Sequence, residues 1–382
     1  MKKSILLAIV ALSGVLAANA QAVVDIEKTG AEKFSVSVKT TGNPAFKKCL
    51  ERNLVLSGAF KLTADGLIKV TGSTGGLIVA EGRGKRISQP SSARDDKSAR
   101  MEARRFADEM CKAYANQEGF ARDKVAFVVK SQRSGELCIG YADGGDVKRI
   151  TQDGKSTVGP RWKDSNTLFY TGYLNETPEI FEINAETGAR KLKWSFRGLT
   201  TGAVMSPNGE TAAIILSAHG NPELYVINVN SGNWTRLTKT DNGNEGQPTW
   251  SPDGRSIVYV SDETRRQHLY VIDVASKQKR RLTREGTSNL DPDYGKDGRI
   301  VYVTKRGGRN HIAVMSVKDG DKSARIVTEP GSWEHPTWSR DLRHVIAERD
   351  GALFLIDTLE NGDAPVKLFS LSGKCITPSW SK

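Results

Sequence analysis

The side chains that could do chemistry in this chain do not combine into a recognisable catalytic motif. A Gly-x-Ser-x-Gly nucleophile elbow and a His-Glu-x-x-His zinc motif are both missing from the 382 residues. Gly154, Lys155 and Ser156 resemble the end of a phosphate-binding loop, but the position five residues before Gly154 is not glycine. The sequence therefore favours a protein that binds a partner over one that catalyses a reaction.

Metal ligands are also poorly placed along the chain. Residues 291–302 faintly resemble a calcium loop, but Gly295 and Tyr302 occupy positions where oxygen ligands are needed. His268 and His311 recur at a position that other repeats fill with glutamate, so we interpret them as strand-end residues on the surface. We expect no metal ion and no cofactor.

Polar side chains are instead concentrated in the predicted loops that precede a recurring sequence motif, which contains an aromatic residue in most of its copies. Trp333 stands among them, and a large aromatic flanked by polar groups is typical of an interface anchor. The alternative is that Trp333 packs beneath its own loop. The predicted partner-binding residues of these loops are Thr200, Thr201, Asn244, Glu245, Gln247, Asn289, Asp291, Trp333, Glu334 and His335.

The elements that position these loops form an internal repeat of about 44 residues. The clearest copy of its phrase is Pro-Thr-Trp-Ser-Pro-Asp-Gly at residues 248–254, and the tryptophan position recurs at residues 162, 205, 250, 294, 338 and 380. The steps between these positions are 43, 45, 44, 44 and 42 residues. A repeat of this length with four short strand-like segments is typical of a β-propeller blade.

The two ends of the repeat region complete one another. The last phrase, at residues 378–381, lacks the three strands that should follow it, whereas residues 124–151 supply three strands without a first one. We therefore predict a mainly β fold, in which a six-bladed β-propeller over residues 120–382 is closed by the C-terminal strand.

A small α+β domain is predicted before the propeller, over residues 23–119, because this region does not repeat. Strands are expected at 23–28, 34–38, 60–63, 67–71 and 77–81, and a short helix at 44–53. Ser91 and Ser92 offer a cap for a long amphipathic helix that reaches Ala115. Residues 82–95, rich in glycine, serine and basic residues, are expected to form a mobile connection.

The N-terminus predicts export. Lys2 and Lys3 precede an apolar run and two small-x-small cleavage sites, so residues 1–22 are interpreted as a signal peptide. The apolar run is too short to span a membrane, and we expect an exported protein that is not embedded in the membrane. The formal charge of the chain is +12, of which the two lysines contribute two. Export and the scattered basic residues argue against a nucleic-acid ligand.

Four cysteines in an exported chain permit two disulfides. Cys49 and Cys111 both precede the propeller, whereas Cys138 and Cys375 belong to the blade that is split between the chain ends. The sequence therefore predicts the pairs Cys49–Cys111 and Cys138–Cys375.

Domain order, blade count, the phrase at residues 244–250 and the ending Ile-Thr-Pro-Ser-Trp-Ser at residues 376–381 resemble the TolB family, the periplasmic propellers of the Tol-Pal system. Met205 and residues 199–202 depart from the family pattern. The resemblance implies a non-enzymatic adaptor of outer-membrane integrity and of envelope constriction at division. It also implies a Pal-like lipoprotein at the propeller loops and a TolA-like protein at the N-terminal segment Val23, Val24, Asp25, Ile26 and Glu27. The alternative is an exported carbohydrate-binding or carbohydrate-cleaving propeller.

Overall fold

Six four-stranded blades form a closed ring in the computed structural model, which describes residues 33–132, 134–359, 362–369 and 371–381. The mainly β, six-bladed propeller with a preceding α+β module is thus confirmed. No helix among the described residues has the length and apolar composition needed to cross a membrane. The predicted strand at 23–28 lies outside the described residues.

Each blade consists of strands A to D, from the channel outward. Blade 1 contains β9 (Thr157–Trp162), β10 (Thr167–Gly172), β11 (Glu179–Asn184) and β12 (Arg190–Trp194). Blade 2 contains β13 (Thr200–Met205), β14 (Thr211–Leu216), β15 (Glu223–Asn228) and β16 (Trp234–Arg236). Blade 3 contains β17 (Glu245–Trp250), β18 (Ser256–Ser261), β19 (His268–Asp273) and β20 (Lys279–Arg281).

The other three blades follow the same order. Blade 4 contains β21 (Ser288–Tyr294), β22 (Arg299–Arg306), β23 (Arg309–Ser316) and β24 (Arg325–Ile326), with a short 3-10 helix at Gly320–Ser323. Blade 5 contains β25 (Glu334–Trp338), β26 (His344–Arg349), β27 (Ala352–Asp357) and β28 (Val366–Lys367). Blade 6 combines β29 (Lys374–Trp380) from the C-terminus with β6 (Lys124–Lys130), β7 (Gly135–Tyr141) and β8 (Lys148–Arg149).

The repeated phrase has two physical roles. In the turn from strand A to strand B of blade 3, the Ser251 hydroxyl and the backbone N–H of Arg255 both donate to the Asp253 carboxylate, and Gly254 takes a positive φ of 69°. The tryptophans join neighbouring blades, since the indole of Trp250 donates to the Val204 carbonyl at 3.0 Å. Trp162 makes the corresponding bond to the Ser379 carbonyl at 2.9 Å, across the junction of the two chain ends.

The N-terminal module has one hydrophobic cluster, and the core of the propeller is divided into six, one between each pair of adjacent blades. The cluster between blades 6 and 1 joins Ala126 and Leu137 to Leu168 and Phe181, so the ring is closed by packing as well as by strand pairing.

The N-terminal module places two helices on one face of a five-stranded sheet. Its elements are β1 (Phe34–Thr41), α1 (Pro44–Leu56), β2 (Phe60–Leu62), β3 (Ile68–Ser73), β4 (Leu77–Gly82), β5 (Lys85–Pro90) and α2 (Asp96–Met110), followed by a π-helical turn at Cys111–Ala115. The sheet order is β2-β1-β3-β4-β5, and β1 pairs in parallel with β2 and β3.

Two expectations for this module are wrong. Residues 85–90 are not a mobile connection but an edge strand that pairs with β4. The cap of α2 is Asp95, whose carboxylate accepts from the Ser98 backbone N–H at 2.7 Å. Ser91 lies before the helix and donates instead to the buried Glu102 carboxylate.

The module packs against one face of the propeller. Arg104 on α2 reaches the C to D turn of blade 6, and Arg343 in the A to B turn of blade 5 donates to the Gly58 carbonyl at 3.3 Å. Lys33 pairs with Asp363 in the C to D connection of blade 5 at 2.5 Å. The connections from strand D to strand A lie on the opposite face, which the described part of the module leaves uncovered.

All four cysteines are buried free thiols, so the structure contradicts both predicted disulfides. Cys138 on β7 and Cys375 on β29 lie on opposite sides of β6. Two strand spacings separate their backbones by about 10 Å, whereas a disulfide needs Cα atoms within about 7 Å. Cys49 contacts the Arg100 carbonyl, and Cys111 lies eleven residues further along the helix, about 16 Å away at 1.5 Å per residue.

Candidate functional site

The predicted partner-binding residues surround one end of the central channel, where strand D of each blade connects to strand A of the next. We call this end the D–A mouth. Asn244 and Glu334 are exposed there, and Thr201, Gln247 and His335 are half-buried. The remaining predicted residues face inward and are buried, namely Thr200, Glu245, Asn289, Asp291 and Trp333.

Every strand A carries a β-bulge at the same position near this mouth. The strand register shifts there in all six blades, and the bulged residue always has a positive φ. The six bulged residues are Gly159, Gly202, Gln247, Asp291, His335 and Thr377. Blades 1 and 2 use glycine, which adopts this conformation without strain, whereas blades 3 to 6 place a polar side chain there.

Three of these bulged side chains join across neighbouring blades. The Gln247 side-chain amide donates to the Asp291 carboxylate, and the backbone N–H of Asp291 donates to Gln247 Oε1 at 2.9 Å. The backbone N–H of His335 donates to Asp291 Oδ2 at 3.1 Å, and its Nδ1 lies 3.3 Å from Glu348 Oε2. We call Gln247, Asp291, His335 and Glu348 the channel ladder.

The electrostatics of the channel ladder favour a protonated His335. Burial disfavours the imidazolium, but the carboxylates of Asp291 and Glu348 outweigh burial and raise the pKa of His335 above its usual range. Burial, together with the nearby Glu348, raises the pKa of Glu334. The ladder therefore holds an imidazole and two carboxylates in contact beside the exposed Glu334.

The bulged residues other than glycine are strained. Non-glycine residues in the left-handed region cost about 1–3 kcal/mol each and persist where the surroundings hold them, often at ligand-binding positions.

Glu334, His335 and Glu348 form a group that could hold a cation among the described residues. Each offers a ligand atom, and these atoms lie within 4.8 Å of one another. The hydrogen bond between His335 and Glu348 competes with such a role.

Trp333 is not an interface anchor, because only 1% of its surface is exposed. Its indole N–H donates to the Glu329 carbonyl at 2.9 Å, and its ring meets Phe354 edge-on at 5.8 Å. The guanidinium of Arg349 covers the ring at 4.6 Å. The packing alternative is therefore correct for this residue.

Glu245 also points into the protein rather than toward a partner. It accepts from the Ser261 hydroxyl at 3.0 Å, and burial together with the nearby Glu223 raises its pKa to about 7. His268, expected on the surface, is 2% exposed, with its Nδ1 3.3 Å from Asn289 Nδ2. Both residues hold the loops of the mouth in place.

Sequence reasoning missed Glu348 and three of the six bulged residues, namely Gly159, Gly202 and Thr377. Glu348 lies on strand B of blade 5, opposite Glu334 in the pairing register, and only the fold brings it to the channel. Gly159 and Gly202 could have been found, because they share the repeat phase of Gln247, Asp291 and His335.

The closed ring of six blades defines the protein as a six-bladed β-propeller, and one end of its channel is polar and lined by bulged residues. Residues 112–382 match the family profile described as PD40, the TolB beta propeller domain. The chain therefore belongs to the TolB β-propeller family.

Three proteins similar to this chain are TolB proteins. The Tol-Pal system protein TolB of Helicobacter pylori (strain J99 / ATCC 700824) is 25% identical over 206 residues, 52% of this chain and 49% of the relative. The match thus spans about half the length of that relative. The crystal structure of TolB from Acinetobacter baumannii has a TM-score of 0.81 at 20% identity, over 93% of this chain and 98% of that one. A putative TolB from Agrobacterium tumefaciens has a TM-score of 0.51 at 20% identity, over 66% and 90% of the two chains.

Proposed function

We propose that this protein is a non-enzymatic, periplasmic component of the Tol-Pal system that binds a Pal-like lipoprotein at the D–A mouth. In this role it supports outer-membrane integrity and envelope constriction at cell division. The observation that carries the proposal is the channel ladder, a row of polar residues of which three have a positive φ, on a mouth that the described part of the N-terminal module does not cover. Membership of the TolB family supports the choice of partner.

The half-buried and exposed residues of the mouth provide the test. Glu334→Gln combined with His335→Asn removes a carboxylate and the imidazolium, while asparagine tolerates the positive φ of 50° at position 335. We expect binding of a purified Pal-like domain to weaken at least about tenfold, or about 1.4 kcal/mol, in titration calorimetry. The thermal unfolding midpoint should stay close to that of the unaltered protein.

Two further variants make the result interpretable. Asn230→Ala changes an exposed residue in the C to D turn of blade 2, on the opposite face, and should leave binding intact. Trp333→Ala should instead lower the free energy of unfolding by about 3–5 kcal/mol, because it empties a packed site. Undiminished affinity in the Glu334→Gln, His335→Asn variant would place the partner elsewhere.

The N-terminal segment at residues 23–27 is proposed to bind a TolA-like protein by adding a strand to its sheet. The alternation of apolar and acidic side chains in this segment suits strand addition. Lys33, the first described residue, pairs with Asp363 of the propeller.

Deletion of residues 23–28 is expected to abolish binding of the TolA-like partner in a pull-down with purified proteins. Because the deletion stops before Lys33, circular dichroism and the unfolding midpoint should be unchanged, and binding of the Pal-like domain should persist. Retention of the TolA-like partner by the shortened chain would refute this assignment.

A further inference from the structure

The central channel also opens at its other end, where strand A of each blade turns into strand B. We call this end the A–B mouth. It holds a cavity of about 560 Å³ whose wall receives residues from all six blades, including Trp162, Met205, Trp250, Tyr294, Thr337 and Trp380. This volume lies within the range of about 300–1,000 Å³ that is typical of small-ligand sites, which are mostly apolar with a few placed polar groups.

Two cations of this cavity lack an acidic partner among the described residues. Arg161 is half-buried, and its guanidinium donates only to the Pro160 carbonyl, at 3.2 Å. Arg161 lines the cavity beside Trp162 and Thr337. Lys296 is exposed at the rim and makes no hydrogen bond or ion pair within the described chain.

The other charged groups of the wall are already engaged. Lys163 pairs with Glu182 at 3.3 Å. Asp293 accepts from the Thr337 hydroxyl at 3.1 Å and from a backbone N–H of the neighbouring blade, and Asp164 accepts from its own turn. Burying part of a guanidinium without a carboxylate partner costs free energy, and a ligand with a carboxylate would offset that cost. The planar guanidinium can donate two parallel hydrogen bonds to such a carboxylate.

We propose that the A–B mouth is a second binding site, for an organic carboxylate carried on an apolar or aromatic body. Arg161 binds the carboxylate, Lys296 attracts it at the rim, and Trp162 and Trp250 contact the body. The carboxylate could belong to a free organic acid or to the acidic end of a peptide, since both present the same group. The site lies on the face opposite the D–A mouth and does not depend on the Pal-like partner.

Calorimetric titration with matched probes tests the proposal. Indole-3-acetate is the free acid, the peptide acetyl-Trp-Pro-Asp represents the second source, and indole-3-acetamide is the uncharged isostere of the first. We expect at least one of the acids to bind, and the amide to bind at least about tenfold more weakly than indole-3-acetate if the free acid is the source. A peptide that binds while both indole probes fail identifies a peptide end as the source.

Variants locate the site. Arg161→Gln should lower the affinity for the acid at least about tenfold. Lys296→Gln should lower the affinity less and should reduce the dependence of binding on salt. Lys239→Gln changes an exposed lysine on the opposite face and should leave the affinity unchanged. Because Lys296 is exposed, its variant tests the site even if Arg161→Gln unfolds. The proposal is overturned if neither indole-3-acetate nor the peptide binds at about 10 mM. It is also overturned if the Lys296→Gln and Lys239→Gln proteins bind the acid with equal affinity and a folded Arg161→Gln protein binds it as tightly as the unaltered protein does.

Discussion

Replacing Arg104 by alanine is expected to lower the free energy of unfolding by about 3–5 kcal/mol, because the change leaves the buried Asp143 carboxylate without its charged partner. Arg104 is fully buried on α2, and its Nε and Nη2 donate to the two Asp143 oxygens at 2.8 and 3.1 Å. Its Nη1 donates to Asp146 at 2.7 Å, and its guanidinium lies 3.9 Å above the Tyr141 ring. These contacts join the N-terminal module to blade 6.

The adjacent arginine is a matched control. Arg105 is exposed on the same helix, so Arg105→Ala should change the unfolding free energy by no more than about 0.5 kcal/mol. Arg104→Lys should fall between the two, since lysine keeps the charge but loses the bidentate geometry and the ring stacking. Urea denaturation followed by tryptophan fluorescence measures all three. Equal midpoints for the Arg104→Ala and Arg105→Ala proteins would contradict the role of this cluster.

Removal of residues 374–382 is expected to have a larger effect than any single substitution, because it removes strand A of blade 6. Without β29, the edge of β6 loses its partner and the ring opens between blades 5 and 6. The deletion also removes Trp380, which is 1% exposed, packs edge-on against Phe120 at 5.4 Å and donates to the buried Asp123 at 3.1 Å.

The shortened protein should be recovered as aggregate or as a monomer without near-ultraviolet circular dichroism. A synthetic peptide of residues 371–382, added during refolding, should restore part of the folded signal by completing blade 6. Deletion of residue 382 alone is the control and should leave the midpoint unchanged. A monomeric protein without residues 374–382 that unfolds at the normal midpoint would show that ring closure does not stabilise the fold.

Local signals in the sequence were enough to predict the propeller. The period of 42 to 45 residues gives one blade per copy, and the split of one copy between the chain ends predicts closure by the C-terminal strand. Turn chemistry is equally local, as the Ser251, Asp253 and Gly254 contacts show. The sequence predicts these features because each depends on residues a few positions apart and recurs at the same point of every repeat.

Features that depend on contacts between distant segments could not be read in this way. The disulfide predictions paired cysteines by the domain they belong to, but pairing depends on distance. Cys138 and Cys375 lie on opposite sides of β6, and Cys49 contacts α2 far from Cys111. Trp333 resembles an anchor by composition, but its burial depends on Phe354 and Arg349 from other strands of its blade.

The sequence by itself determined the number of blades, the place of ring closure and the loops that form the D–A mouth, since hydrophobic alternation and turn residues act over short distances. Only the tertiary structure decided which side chains of those loops face the channel. The β-bulge in each strand A turns one residue per blade, and neighbouring blades then bring Gln247, Asp291 and His335 into contact. That contact joins positions 44 residues apart, and its geometry comes from the packing of whole blades around the channel.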